Sequence, residues 1–482
     1  MLIQFTVENF LSLKQKTVFS LLATNDEAHP EHLIASPTGK SKKVLRAAAI
    51  YGANAAGKSN LVKAMAFAQK LIVNGTASGN TIAVTPFKLR SNSNLPTRFQ
   101  FVFTHKNVEY SYGFKLNNSR ILEEFLYASP NGKEVKYFER VTSDDLDTQV
   151  EFGPSLIKGR AELRRLLRYK EADTRPNQLF LTAIFDGNIK EKVDELKPVM
   201  DWFRSALIII EAESTYSNLE VRTHKSEGLK EFIGTLLRTS GTGIQEVVTT
   251  EEVLDWNRDL PSFPIDEREE ILQEFKKQSL DGITDNTLVE IFSPPSTRFY
   301  LHQNEAGEVL LLKFLLKHES EQDDPIEFQM NEESDGTQRV IHLAPMLFDI
   351  SKGGERVIVI DEIDRRLHPH LSRLIIQVAL ECSSANQLIF TTHDTNLLDL
   401  ELLRRDEIWF VEKNESGGSH LYSLAEFKVR PDLQIEKGYL NGRFGAIPFI
   451  GDIGSLGWNT KPAVDAKEAD PKKADAKESI YA

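Results

Sequence analysis

The sequence predicts an α/β fold in which a buried parallel sheet presents a chemically active edge, and three observations lead there. Short apolar runs over 44–50, 356–360 and 388–391 are followed by a glycine, by two carboxylates and by a histidine respectively. Uniformly apolar runs of strand length suit strands covered on both faces, and such strands deliver polar residues to the carboxyl edge, where open α/β sheets bind ligands. The first run leads through a glycine-bounded turn into a helix-like stretch over 58–72, which reads as strand, loop, helix. The third observation is a series of short strand-like pieces after that helix, separated by turn residues, which predicts an antiparallel β subdomain.

Taken in order, the alternation over 2–7 predicts a strand that belongs to the fold. No basic region precedes a long apolar stretch there, so the opening does not read as a secretory leader. After the strand over 44–50 and the helix over 58–72, strands are expected over 97–103, 108–116, 121–128 and 133–140. Turns at Asn117-Asn118 and Pro130-Asn131-Gly132 join them into a meander. From about 155 to 285 the character is helical. Leu229, Phe232, Ile233, Leu236 and Leu237 recur on one helix face, and a charged helix is expected over 265–278. Pro198, Pro261 and Pro264 interrupt this region and no heptad pattern persists, so an inserted compact helical lobe is expected in place of a coiled coil. Strands return over 296–303 and 308–317, and strand and helix then alternate as far as 450. The segment 461–482, rich in Ala, Lys, Asp and Glu, has too little apolar surface to offset its ordering entropy and reads as a disordered tail. The expected domains are therefore 1–154, 155–285, 286–459 and a tail over 460–482.

The bulk properties narrow the function classes. At 482 residues, with 40% hydrophobic and 27% charged residues, the chain suits a globular protein of two or three domains. No apolar run approaches the roughly 20 residues of a membrane-spanning helix, so no membrane partner is expected. A single cysteine, Cys382, excludes an internal disulfide framework and fits a reducing cytoplasm. The net charge of -13 argues against unspecific coating of nucleic acid, though it allows a local basic groove.

Four motifs carry the chemistry. Gly52-Ala53-Asn54-Ala55-Ala56-Gly57-Lys58-Ser59 matches the phosphate-loop pattern G-x-x-x-x-G-K-[ST]. Gly52 and Gly57 let the backbone wrap closely round phosphate oxygens. The N–H groups of Asn54, Ala55, Ala56 and Gly57, with the helix start at Lys58, Ser59 and Asn60, supply positive potential. Lys58 is expected to reach the β- and γ-phosphates of ATP, and Ser59 to hold Mg²⁺. In the second motif Asp361 is expected to bind Mg²⁺ and Glu362 to polarise the attacking water. Taken alone, a strand followed by Asp-Glu reads as a strand end meeting solvent, and it is the company of the other motifs that favours the chemical reading. The third is Glu333-Ser334-Asp335-Gly336-Thr337-Gln338-Arg339, ahead of a helical stretch. Ser334 can cap that helix and Gly336 leaves its N–H open to a phosphate. The fourth is His393, placed to hydrogen-bond a γ-phosphate.

This ordered set resembles the ABC-type P-loop ATPase heads of the SMC, Rad50 and RecF group, with a Walker A loop over 52–59, a signature over 333–339, a Walker B strand over 357–362, a D-loop around Asp364 and a switch at His393. More narrowly, the chain resembles the AAA15-type ATPases of bacterial anti-phage abortive-infection systems. That likeness rests on IQFTVENFLSL at 3–13, GANAAGKSNL at 52–61, TRPNQLFL at 174–181, SDGTQRVIHLAP at 334–345, DEIDRRLHPHL at 361–371 and KGYLNGRFGAIPF at 437–449. The signature reads ESDGT where transporters carry LSGGQ, and Gln100, the nearest candidate for a Q-loop glutamine, falls in a predicted strand.

The resemblance implies head-to-tail pairing of two chains, each Ser334 and Gly336 closing over the other chain's ATP, in a homodimer or higher homo-oligomer. It also implies slow hydrolysis. A sensor that controls a separate effector, a nuclease or toxin, with a phage protein as trigger, is the function it suggests. The segment after His393 shows no Glu followed by Asp-x-Asp of a TOPRIM nuclease, so the effector is expected on another chain. The alternative is a DNA repair or recombination ATPase that acts on DNA directly. Arg160, Arg164, Arg165, Arg168 and Lys170 could form a basic stripe for that purpose, against the reading of a solvated face paired with Glu162 and Glu171. His29 and His32 lie in a polar, proline-containing stretch without a cysteine or third histidine nearby, and read as a surface loop.

Overall fold

The computed structural model describes residues 1–447 apart from 36–41, 90–94, 187–192, 215, 217, 261–262, 281–288, 294–296, 305, 321–323, 382–384 and 428–433, and apart from the side chains of 274–280, 289–293, 297–299, 302 and 303. Cys382 and the expected tail over 460–482 lie outside the described residues.

Six strands form the sheet that positions the site, in the order Leu207–Ile210, Val357–Ile360, Gln387–Thr391, Ala47–Gly52, Ile408–Lys413 and Ser419–Ser423. The first five run parallel and the last pairs antiparallel at the edge. The even apolarity of the three runs has its cause here, because successive residues enter different cores. Ala48, Ile50, Val357 and Val359 face the core that holds the helix Lys58–Asn74. Ala47, Ala49, Ile358 and Ile360 face the core that holds the helices Asp335–Ser351 and Pro369–Glu381. Side chains alternate across a strand, so a strand covered on both faces must be apolar at every position. Parallel direction then brings Gly52, Asp361 and His393 to one edge.

The meander forms as expected and gains strands at both ends. Its order is Thr148–Phe152, Val135–Thr142, Ile121–Ser129, Val108–Leu116, Thr97–His105, Leu2–Glu8, Thr17–Ser20, antiparallel throughout. The turn after Leu116 is set by Asn117, whose side-chain carbonyl accepts the N–H groups of Ser119 and Arg120, both at 2.9 Å. An aromatic cluster anchors the sheet: Phe103 stacks on Trp202 with ring centres 4.1 Å apart, and Phe203 meets Phe101 edge-on at 5.2 Å. Buried Gln387 joins this sheet to the parallel one. Its amide donates to the carbonyls of Leu2 and Leu45 at 2.9 Å each, and its carbonyl accepts the Leu2 N–H at 2.6 Å.

The segment expected as a helical lobe is helix-rich, and it also carries two strands that its helical periodicity gave no sign of. Its first helices, Pro154–Ile157, Ala161–Asp173, Phe180–Phe185 and Lys197–Asp201, pack on the meander core. The strand Leu207–Ile210 then joins the parallel sheet beside the Walker B strand. Beyond it, the helix Glu227–Thr239 buries Leu229, Ile233, Leu236 and Leu237, and the long strand Ile244–Val253 opens a further sheet. That sheet runs Ile244–Val253, Val309–His318, Thr297–Gln303, Val289–Ser293, so it spans the boundary expected at 285.

Candidate nucleotide site

The phosphate loop is held in a shape its sequence allows and its neighbours enforce. Gly57 has φ 116°, a conformation open to glycine and rarely to other residues, and a Cβ there would collide with the Ser419 hydroxyl. Ser419 donates to the Ala56 carbonyl and lies 2.7 Å from the Ser12 hydroxyl, which accepts the Asn60 amide at 2.6 Å. Ala55 is left-handed at φ 62°, and Asn54 and Ala55 are exposed at the mouth. The helix starts at Lys58, with Ser59 half-buried in its first turn.

Lys58 is 5% exposed, and its ammonium donates to the Gly52 carbonyl at 2.8 Å and the Ala53 carbonyl at 3.4 Å. It lies 3.4 Å from His393 Nδ1. Burial brings its pKa down to about 8, against the pull of Asp361, Glu362 and Asp364. His393 is held below the ordinary histidine value by partial burial and by Lys58, with Asp364, Glu362 and Asp361 opposing. It is therefore neutral at pH 7, and its backbone N–H donates to Asp364 Oδ2 at 3.2 Å. These contacts bring Lys58, His393 and Asp364 into one site.

The acids sit on the adjacent strand end. Asp361 is 3% exposed and accepts the Thr391 hydroxyl at 2.6 Å, while that hydroxyl accepts the Glu362 N–H at 2.7 Å. Glu362 is left-handed at φ 52°, which turns its carboxylate off the strand direction; Arg365 pairs with it at 3.5 Å. Asp364 Oδ1 and Asp394 Oδ2 are buried and without a hydrogen-bond partner. Three carboxylates around one ammonium, with two buried acceptors unfilled, suit a site completed by a divalent cation and a ligand that donates. Ser59 and Asp361 would hold Mg²⁺ there, and the ion would neutralise phosphate charge.

Ser334 caps the helix Asp335–Ser351 as expected, accepting the Thr337 N–H at 3.2 Å, and is exposed. Gly336 lies against the Arg366 carbonyl, 2.8 Å from where a Cβ would stand, and Arg366 pairs with Asp335 at 3.4 Å. The signature thus abuts the turn that follows the Walker B strand of its own chain. Gln100 sits within the meander, bonded to Ser111 and Arg98 at 3.1 Å each.

The family model described as "AAA domain, putative AbiEii toxin, Type IV TA system" matches residues 47–399, from the phosphate-loop strand through His393. The chain belongs to this AAA family. No curated protein matches it. Among solved structures, it is similar to the SMC head bound to the C-winged helix domain of ScpA, at 14% identity and TM-score 0.35, covering 88% of this chain and 97% of that one. It is also similar to the SMC head domain from Thermotoga maritima, at 10% identity and TM-score 0.34, covering 88% and 98%.

For this AAA domain, sequence reasoning missed Thr391, Ser12 and Ser419, whose contacts exist only once distant segments meet. It also passed over Arg339, which is 7% exposed with Nε and Nη2 unpartnered, its pKa lowered by burial and by Arg365. Its place one turn into the signature helix was the only available signal. The basic stripe is engaged at three of its five residues, and Arg164 and Arg165 are exposed. Arg160 pairs with Glu195, Arg168 pairs with Glu171 at 2.6 Å and covers the Phe152 ring, and buried Lys170 donates to the Asp186 carbonyl at 2.9 Å. His32 departs from the surface-loop reading. It is 5% exposed, because Glu407 receives its ring at 3.0 Å.

Proposed function

We propose that this chain is an ATP-hydrolysing sensor and scaffold of an anti-phage, abortive-infection type, working as an ATP-sandwich homodimer that controls a separate effector. The observation that carries the ATPase part is the meeting of Lys58, Asp361, Glu362, Asp364 and His393 at one sheet edge. Lys58 would leave the Gly52 and Ala53 carbonyls for the phosphates. Glu362 would orient the attacking water, and neutral His393 would hydrogen-bond the γ-phosphate. Exposure of both Ser334 and the loop mouth at Asn54 and Ala55 suits closure by a second copy. ATP then favours the closed pair and hydrolysis removes that bias. The words of the family description, an AbiEii toxin and a type IV toxin–antitoxin system, support the defence setting. The engagement of Arg160, Arg168 and Lys170 speaks for an effector reading over direct action on DNA.

The test is native mass spectrometry of Glu362→Gln protein recovered from its own host with ATP present. A closed, ATP-loaded dimer with a stoichiometric second protein is expected. An assembly of ATP and DNA alone would replace the effector reading with the repair one, and a monomer without nucleotide would sink both.

A further inference from the structure

We propose that His29, Glu31 and His32 form a site for a divalent transition ion of the zinc type, at the amino edge of the parallel sheet. Their ligand atoms, His29 Nδ1, a Glu31 carboxylate oxygen and His32 Nε2, lie within 4.8 Å of one another. His29 Nδ1 is 3.1 Å from Glu31 Oε1, and His32 Nε2 is 4.0 Å from it. Ligands on a tetrahedral ion, each bonded at about 2.0–2.1 Å, are separated by roughly 3.3 Å, so the first pair already has the required spacing. The others close by no more than about 1.5 Å, a movement shared between Glu31, whose side chain is 59% exposed, and the half-buried ring of His29.

The outer partners of the two rings carry the inference. His29 Nε2 is 2.7 Å from the Leu400 carbonyl, an acceptor only, so it bears the proton. His32 Nδ1 is 3.0 Å from Glu407 Oε2, an oxygen that also accepts the Arg404 N–H at 2.9 Å. Each ring therefore has one nitrogen on a fixed outer partner and its other nitrogen on the Glu31 side. His29 Nδ1 shares a proton with Glu31 at 3.1 Å when the site is empty, and a cation held by the two imidazole nitrogens and the carboxylate oxygen would take that proton's place. Metal-bound histidines are oriented in this way, their second nitrogen donating to a carboxylate or a backbone carbonyl. Two imidazole nitrogens and one carboxylate oxygen suit zinc, with water as the fourth ligand on the exposed Glu31 side.

This site is separate from the nucleotide site. The His32 carbonyl accepts the Arg46 N–H at 2.9 Å, just before the strand Ala47–Gly52, and Glu407 directly precedes Ile408–Lys413. Both mark the amino ends of strands whose carboxyl ends face the phosphate loop. The two sites are therefore a strand length apart, on the order of 20 Å. A bound ion would tie the segment around residues 29–32 to the stretch 400–407 that leads out of the His393 switch.

The experiment uses untagged full-length protein, stripped with chelator, dialysed against buffered zinc and assayed for metal content and thermal midpoint. His32 is left intact because it is buried in the fold; His29→Ala and Glu31→Gln lie at the exposed rim. Wild type is expected to retain one zinc per chain and to melt higher with it. Each rim variant should bind at least about tenfold more weakly and lose the thermal shift. Asp361→Asn should keep the zinc. Equal zinc content in wild type and the His29→Ala/Glu31→Gln double variant overturns the proposal. So does loss of the zinc in Asp361→Asn, or no retention by wild type, which would leave a proton on His29 as the cation that balances Glu31.

Discussion

The two edges of the parallel sheet are built on opposite principles. At the carboxyl edge the backbone is strained at Ala55 and Glu362, a lysine is folded back on loop carbonyls, and Asp364 and Asp394 each keep a buried oxygen without a partner. At the amino edge the charges are largely matched within the chain, with Glu407 Oε1 a buried oxygen left without a partner. Arg404, fully buried, pairs with Asp406 at 2.9 and 3.0 Å and also donates to the Asp26 carbonyl at 2.8 Å, while Thr24 donates twice to Asp406. Unfilled hydrogen-bonding capacity costs stability unless a ligand completes it. An edge that leaves groups open serves binding, and an edge that closes them holds the strands in register. Substitutions on the two edges should therefore separate function from stability.

The largest separation is expected at Glu362. Glu362→Gln keeps the shape and removes the base, so hydrolysis should fall by about 10²–10⁴-fold, with nucleotide affinity and melting midpoint nearly unchanged. Phosphate release in a coupled assay measures this, and an unaltered rate would remove Glu362 from its role. Arg404→Met on the other edge should do the reverse. It leaves Asp406 buried without its cation, and should cost about 3–5 kcal/mol of stability with ATP affinity kept wherever the protein stays folded. Urea unfolding followed by circular dichroism reads the difference, and a change under 1 kcal/mol would contradict the matched-edge account.

Lys58→Ala comes next. Loss of a charged donor to phosphate should weaken ATP binding on the order of 10–100-fold, as measured by calorimetry, while relieving the burial of an ammonium. The smallest effect is that of pH. Free Lys58 titrates near 8 because it is buried, and phosphate beside it raises that value, so binding takes up a proton once the free lysine is neutral. Affinity should be level below pH 8 and fall by about tenfold toward pH 9, with proton uptake visible as a buffer-dependent heat. Affinity that is flat through this range would mean that Lys58 keeps its charge without nucleotide.

Much of this was readable before any coordinates. The phosphate loop, the acid pair, the capping serine and the histidine stand in an order that local pattern alone reveals. The meander followed from period-two alternation and from turn residues such as Asn117, whose side chain sets its own turn. The helix Glu227–Thr239 followed from its apolar face. Leu207–Ile210 was not legible, since four apolar residues inside a helical region carry no sign that their partner lies at Val357–Ile360. Nor was the site's inner support: Thr391 reaches Asp361 from a neighbouring strand, and Ser12 meets Ser419 across 407 positions.

Local chemistry therefore determined which residues could bind a phosphate, cap a helix or end a strand, because those properties depend on neighbours within a few positions. Only the tertiary structure decided strand order, and with it which polar groups find partners and which stay open. His32 makes the point most sharply. In sequence it is a polar loop residue, yet it is buried, and Glu407, 375 positions away, holds its ring at 3.0 Å. Burial and tautomer are set by whatever packs against a side chain, and the local sequence does not record that partner.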